Sequence, residues 1–110
     1  MAGDLTRERE VVDSLYRVLA NQRRRQVIRL LAERDDPTTV ADLTDRVRAA
    51  DAGLDPSDRD RVALELHHSH LPMMDDAGVV EYDGEDRVAR TPLGLKAADI
   101  NQLADSYLHA

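Results

Sequence analysis

Two short runs of strand-forming residues flank a tight turn in the second half of the chain. The run VVEY starts at Val79 and the run RVART ends at Thr91, and the four residues DGED separate them. An Asp-Gly pair, here Asp83-Gly84, is a strong signal for the turn of a β-hairpin, because these residue types tolerate the backbone conformation that such turns need. The sequence therefore predicts two short antiparallel strands within residues 79–91.

Helical periodicity dominates the rest of the chain, because apolar residues recur there at intervals of three and four. Asn21 and Thr39 stand where helix N-caps are expected, and Gly78 is a natural helix stop. Pro72 lies inside the fourth periodic segment, where it is expected to kink a helix that Ser57 caps. The predicted helices are an N-terminal one at 5–19, three within a helical core at 22–78, the last of these at about 58–77, and a C-terminal one at 93–109.

The apolar composition favours packing between helices. Of the 110 residues, 42% are apolar, but there is no Phe, no Trp and only three Tyr. A core of Leu, Val, Ile, Ala and Met suits helices packed on helices better than it suits a β-sandwich. We therefore expect a single domain over residues 1–110, mostly α-helical with a small β-hairpin.

The charged residues are unusual in type as well as in balance. The 22 acidic residues are mostly Asp, and Lys96 is the one lysine among 15 basic residues, which leaves a net charge of −7. This Asp-rich, Lys-poor composition looks like that of proteins from salt-loving archaea, in which surface carboxylates maintain hydration. A negative net charge normally argues against nucleic acid as a partner, but in a halophilic protein the local basic clusters are the better guide.

Several functional classes have no signal in the sequence. Cysteine is absent, which excludes a disulfide framework and a thiolate metal site. No glycine-framed nucleophile turn and no Gly-rich phosphate loop occurs, so we expect neither catalysis nor a cofactor. Residues 1–10 lack the apolar segment of an export signal, and no apolar run reaches membrane-spanning length. A cytoplasmic protein without a membrane partner is therefore expected.

Two segments resemble a known family of DNA-binding proteins. The segment LANQRRRQVIRLLAE, residues 19–33, is similar to the Arg-rich helix of ArsR-like winged helix-turn-helix regulators, and Arg24 falls at the family's usual arginine. The segment HLPMMDDAGVVEY, residues 70–82, matches the family's pattern of His-Leu, a large apolar residue, Ala-Gly and two strand residues. The resemblance covers about residues 15–90. The chain resembles small haloarchaeal winged-helix domains of unassigned function more closely still. It implies a helix-turn-helix whose second helix enters the DNA major groove, while the hairpin, or wing, approaches the flanking backbone or minor groove.

The outward face of the fourth predicted helix carries the candidate DNA contacts. Helical spacing places Arg61, Glu65, His68 and Ser69 on that face, opposite the apolar residues. An arginine can hold guanine through two hydrogen bonds, serine and histidine commonly bind phosphate, and Glu65 would repel phosphate. The structural alternatives are a merely solvated helix face and local ion pairs within the hairpin. The predicted DNA-binding residues are Arg59, Arg61, His68 and Ser69 on the helix, and Arg87 and Arg90 on the hairpin.

Two further histidines, His67 and His70, fall on the inward face of the same helix. We expect both to pack at the edge of the core, with their ring nitrogens hydrogen-bonded to backbone or water. The alternative is a metal site in which these histidines, at positions i and i+3, are joined by a carboxylate such as Asp75 or by a second subunit. Met73 and Met74 are expected to fill the core or an interface.

The C-terminal helix has an apolar stripe formed by Ile100, Leu103, Ala104 and Tyr107. This stripe needs a covering surface, which is either its own domain or the first helix together with a second copy of the chain. We favour a homodimer through the N- and C-terminal helices, because DNA sites for such regulators are usually paired half-sites. The sequence thus predicts a homodimeric transcription regulator that binds double-stranded DNA. The alternatives are a protein-interaction module on the same fold and a metal-sensing regulator that uses the two inward histidines.

Overall fold

The computed structural model describes the backbone of residues 2–109 and the side chains of residues 5–107. Within these limits the chain is mostly helical with a small three-stranded antiparallel sheet, as the sequence predicted for the fold class. The elements are α1 (Ala2–Leu19), α2 (Gln22–Ala32), β1 (Thr38–Thr39), α3 (Val40–Ala50), a 3₁₀ turn (Pro56–Asp58), α4 (Arg59–Glu65), a π-helical turn (Leu66–His70), α5 (Leu71–Asp76), β2 (Val80–Tyr82), β3 (Arg87–Arg90) and α6 (Pro92–His109).

The fourth helical segment is not one α-helix kinked at Pro72, and that prediction was wrong. Residues 56–76 form a composite helix in which the π-helical turn separates α4 from α5. Its widened turn closes with the Leu71 N–H donating to the Leu66 carbonyl. Pro72 has no N–H to donate and its ring would crowd the carbonyl four residues earlier, so a wider turn just before it relieves both problems.

Three helix starts follow from side-chain capping. The Asn21 side chain accepts hydrogen bonds from the backbone of Arg23 and Arg24, and Thr39 Oγ1 accepts one from Asp42 N, so both predicted caps are confirmed. At the composite helix the cap is Asp55 rather than Ser57. The composite helix begins with the 3₁₀ turn, and Asp55 caps this turn, which the sequence did not predict.

The sheet contains the predicted hairpin and one additional strand. Strands β2 and β3 are antiparallel, with Val80 opposite Arg90 and Tyr82 opposite Val88. Their turn is held by Asp83 Oδ1, which accepts hydrogen bonds from the backbone N–H groups of the three residues at 85–87. Strand β1 pairs with β3 on its other side, so the spatial order is β1-β3-β2.

Helix α2 lies at the centre of the packing and contacts α6, α3 and α1. The composite helix contributes Val62, Leu66, Leu71 and Met74 to the core, all of them fully buried. These residues fix which face of the composite helix is turned inward, and therefore which face is free for another molecule. No helix within residues 2–109 is both long enough and apolar enough to span a membrane.

Candidate nucleic-acid interface

The outward face of the composite helix is the surface on which four of the six predicted DNA contacts lie. Arg61, His68 and Ser69 are exposed there, and Arg59 is partly exposed near the start of α4. Leu64, which the sequence analysis did not single out, is exposed on the same helix, with 59% of its surface accessible. The predicted orientation of this helix therefore agrees with the structure, since the apolar residues opposite are in the core.

Both arginines of this face are already paired with carboxylates. Arg59 Nε lies 2.8 Å from Asp45 Oδ1 on α3. The two terminal nitrogens of Arg61 lie 3.1 Å from Asp58 and 3.1 Å from Glu65, one turn before and one turn after it. Hydrogen bonding to these carboxylates raises the pKa of both guanidinium groups. Arg61 uses both terminal nitrogens for these pairs, so it would have to release at least one carboxylate to bind a base with both. Arg59 pairs through Nε, which leaves its terminal nitrogens for another contact.

The two hairpin arginines differ from each other in position. Arg87 is exposed at the start of β3. Arg90, at the end of the same strand, donates to the Ala32 carbonyl at 3.0 Å and forms an ion pair with Asp35. Its side chain therefore stabilises the C-terminal end of α2. The structure thus groups Arg59, Arg61, His68 and Ser69 on one helix but directs Arg90 to another part of the molecule.

The three histidines of the π-helical turn have three different environments. His68 is exposed, His67 is half-buried with Nδ1 2.6 Å from the Tyr82 hydroxyl, and His70 is only 9% exposed. The predicted inward orientation of His67 and His70 therefore agrees with the structure. The buried Nδ1 of His70 has no hydrogen-bond partner among the described protein groups, so the predicted bond to backbone is not found at this nitrogen. Burial lowers the pKa of His70, and the positive charge of Arg24 adds to this effect.

The geometry does not favour the metal alternative. Among the side chains of residues 5–107, no three His, Asp or Glu groups come together in a way that could hold a metal ion. Asp75, the carboxylate proposed to join the histidines, instead accepts a hydrogen bond from the Tyr82 backbone N–H at 3.0 Å. His67 Nδ1 is occupied by the hydroxyl of the same tyrosine.

Tyr82 is a residue of this region that the sequence analysis missed. Its backbone N–H is bound by Asp75 of α5 and its hydroxyl by His67 of the π-helical turn, so strand β2 is attached to the composite helix at two points. Burial and the nearby carboxylates of Asp83 and Asp86 raise the pKa of Tyr82, so its hydroxyl keeps its proton at neutral pH. Together with the buried packing of Val79 and Val80, these two bonds hold the hairpin against the composite helix.

The arginine cluster at the start of α2 has a structural role. Arg24 donates from Nε to the Val18 carbonyl at 3.0 Å and from a terminal nitrogen to the Arg17 carbonyl at 2.7 Å. Arg25 donates to the Leu19 carbonyl at 2.7 Å. These carbonyls at the end of α1 have no partner within their own helix, so the arginines satisfy them and fix the angle between α1 and α2.

A second exposed surface lies on the terminal helices. On α6, Ala97 and Asn101 are buried, whereas the predicted stripe residues Ile100, Leu103 and Tyr107 are exposed. The stripe is therefore not covered by its own domain. Exposed apolar side chains also lie on α1, namely Leu5, Val11, Val12 and Tyr16. We call these seven residues the terminal apolar surface.

A family model described as Domain of unknown function (DUF7344) matches residues 16–90, which is most of the chain. The chain belongs to this family. The DUF7344 region starts within α1 and ends with β3, so it contains the composite helix, the hairpin and the Tyr82 attachment. Helix α6 and the first part of α1, with most of the terminal apolar surface, lie outside it. No match was found among curated proteins or among solved structures.

Proposed function

We propose that this chain is an ArsR-like transcription regulator of winged helix-turn-helix architecture, which binds duplex DNA through the outward face of the composite helix. The observation that carries the proposal is the exposure of Arg61, His68 and Ser69 on the second helix of a packed pair, beside a hairpin attached to that helix. The element order supports it as well. A short strand before α3 joins the hairpin in one sheet, an arrangement that suits a wing held next to a recognition helix.

The ion pairs of Arg59 and Arg61 are compatible with DNA binding. Both arginines and their carboxylate partners are at least partly exposed to solvent, where such pairs are weak because water and salt screen them. A guanine offers two acceptors in a geometry that fits the guanidinium group, and a desolvated groove strengthens that contact.

A homodimer is the second part of the proposal. The terminal apolar surface contains three large side chains from α6 and four from α1. In a chain whose surface is otherwise rich in carboxylates, leaving this area in water is unfavourable, and a second copy would cover it with an equivalent surface. Two copies related by a two-fold axis would present two composite helices to two DNA half-sites.

A protein-interaction module on the same fold is the second candidate. It is favoured by the carboxylates that surround the candidate interface, because Asp45, Asp58, Asp60 and Glu65 outnumber the two arginines there. This local excess of negative charge repels phosphate and would suit a partner protein with a basic surface. The two candidates use the same face, so one set of variants tests both.

The test is genome-wide chromatin capture of the protein in its native cells at their own salt concentration. The regulator proposal predicts discrete enriched sites that are lost in the double variant Arg61→Ala/His68→Ala, because both side chains lie on the proposed contact face. The variant Arg29→Ala removes an exposed arginine of α2 and serves as the control that should retain the sites. An absence of enriched sites with wild-type protein would reject DNA binding and favour the interaction module.

A further inference from the structure

Leu64 is an exposed apolar side chain for which the fold gives no packing role. Its neighbours on the composite helix, Val62 and Leu66, are fully buried, whereas Leu64 is 59% exposed. Eight large apolar side chains are exposed among the residues whose side chains are described, and the other seven form the terminal apolar surface. Leu64 is thus separate from that surface and lies on the face proposed to contact DNA.

The position of Leu64 on the helix brings it between two polar groups. Arg61 precedes it by three residues and His68 follows it by four, and all three side chains are exposed on the outward side of the composite helix. Seven residues of α-helix rise about 10 Å, which corresponds to about three base pairs of duplex DNA, and the π-helical turn that begins at Leu66 shortens this rise somewhat. Leu64 therefore lies near the middle of the stretch that a helix in the major groove could contact.

The major groove offers one apolar group at this depth, the C5 methyl group of thymine. Cytosine and the purines present hydrogen-bonding groups, which a leucine side chain would leave without a partner. We propose that Leu64 is a specificity-determining residue that packs against the C5 methyl group of a thymine in each half-site. This inference rests on the proposed DNA-binding function. A partner protein with an apolar contact for Leu64 is the competing explanation.

The experiment uses a duplex taken from an enriched chromatin site, in which each thymine is replaced in turn by deoxyuridine. This replacement removes only the methyl group and leaves the hydrogen-bonding pattern of the base pair unchanged. The affinities of wild type, Leu64→Ala and Leu64→Met are measured by fluorescence anisotropy at constant salt. Wild type should lose about fourfold in affinity at one thymine per half-site, as expected for one methyl-sized apolar contact.

The variants assign the effect to Leu64. Leu64→Ala should bind the thymine and deoxyuridine duplexes equally well, whereas Leu64→Met, which keeps an apolar side chain of similar length, should retain the preference for thymine. The sensitive thymine should lie within about two base pairs of the position at which Arg61→Ala relaxes specificity. Because Leu64 is exposed, neither substitution should unfold the protein, and circular dichroism checks this.

The outcomes separate the inference from the function on which it rests. If no duplex is enriched, both proposals fail, and Leu64 is better assigned to a protein contact. If a duplex is enriched and bound but every deoxyuridine replacement is tolerated, DNA binding stands and the thymine contact is rejected. A thymine preference that persists in Leu64→Ala rejects the role of Leu64 as well.

Discussion

Gly94 lies in the first turn of α6, where replacement by alanine tests how closely this helix approaches the sheet. A Cβ atom at this position would lie 2.1 Å from the Val79 carbonyl oxygen and 3.2 Å from its carbonyl carbon. Helix propensity alone predicts that Gly94→Ala stabilises the protein by about 0.8–1 kcal/mol. The structure predicts the opposite sign, because a backbone carbonyl cannot rotate away as a side chain can.

The magnitude follows from the size of this overlap. Introducing extra atoms into a packed site typically costs about 1–3 kcal/mol and occasionally more, and an overlap of this depth with backbone belongs at the upper end. After the gain in helix propensity is subtracted, we expect Gly94→Ala to lower the free energy of unfolding by about 2 kcal/mol. The strain would fall on the start of β2, where Thr91 Oγ1 also donates to the Gly78 carbonyl at 2.7 Å.

Urea unfolding followed by circular dichroism at fixed salt measures this change. The midpoint should fall while the slope of free energy against urea stays constant. Gly53→Ala is the matched control, since a Cβ atom there would approach only the movable carboxylate of Asp51, at 3.2 Å. A Gly94→Ala protein as stable as wild type, or more stable, would show that α6 does not approach Val79 as closely as described.

Three further perturbations test the buried histidine, the hairpin attachment and the terminal apolar surface. Because burial lowers the pKa of His70, this histidine takes up a proton in the unfolded chain before it does so in the folded protein as the pH falls below about 6.5. The free energy of unfolding should therefore decrease by at most ~1.4 kcal/mol per pH unit in this range. This slope should disappear in His70→Gln and persist in His68→Gln, and an unchanged slope in His70→Gln would contradict the assignment. Tyr82→Phe removes the hydroxyl that contacts His67, so it should lower the free energy of unfolding, measured in urea, by about 0.5–1.5 kcal/mol. An unchanged free energy of unfolding would mean that this bond does not hold the hairpin. Leu103→Glu should convert a dimer into monomers, as measured by sedimentation equilibrium, without lowering the unfolding midpoint of the monomer. A wild-type protein that is already monomeric would reject the homodimer.

Local sequence signals account for much of the fold. The helices and the hairpin were predictable because periodicity, caps and the Asp83-Gly84 turn act over a few residues. The inward and outward faces of the composite helix were predictable for the same reason. In contrast, β1 has only two residues, and it is a strand because Thr38 lies opposite Val88, far along the chain. A pairing at that distance leaves no local pattern.

The interactions of the candidate site were harder to predict because they join distant residues. Arg90 binds the Ala32 carbonyl, 58 residues earlier, and Tyr82 binds His67 from another element. The π-helical turn depends on how the chain accommodates Pro72 within a packed helix, which propensity does not describe. The exposure of Leu64 could have been found from the helical spacing, since it falls between Arg61 and His68 on the outward face.

We propose that the outward face of the composite helix contacts the bases of duplex DNA. The most direct measurement is the affinity of an enriched duplex for wild type, Arg61→Ala and Arg29→Ala at one salt concentration. Both variants lose one exposed arginine, so their net charges are equal. Our account predicts that Arg61→Ala weakens binding about tenfold or more and relaxes specificity at one base pair, while Arg29→Ala remains within about twofold of wild type. Equal affinities for the two variants would contradict it.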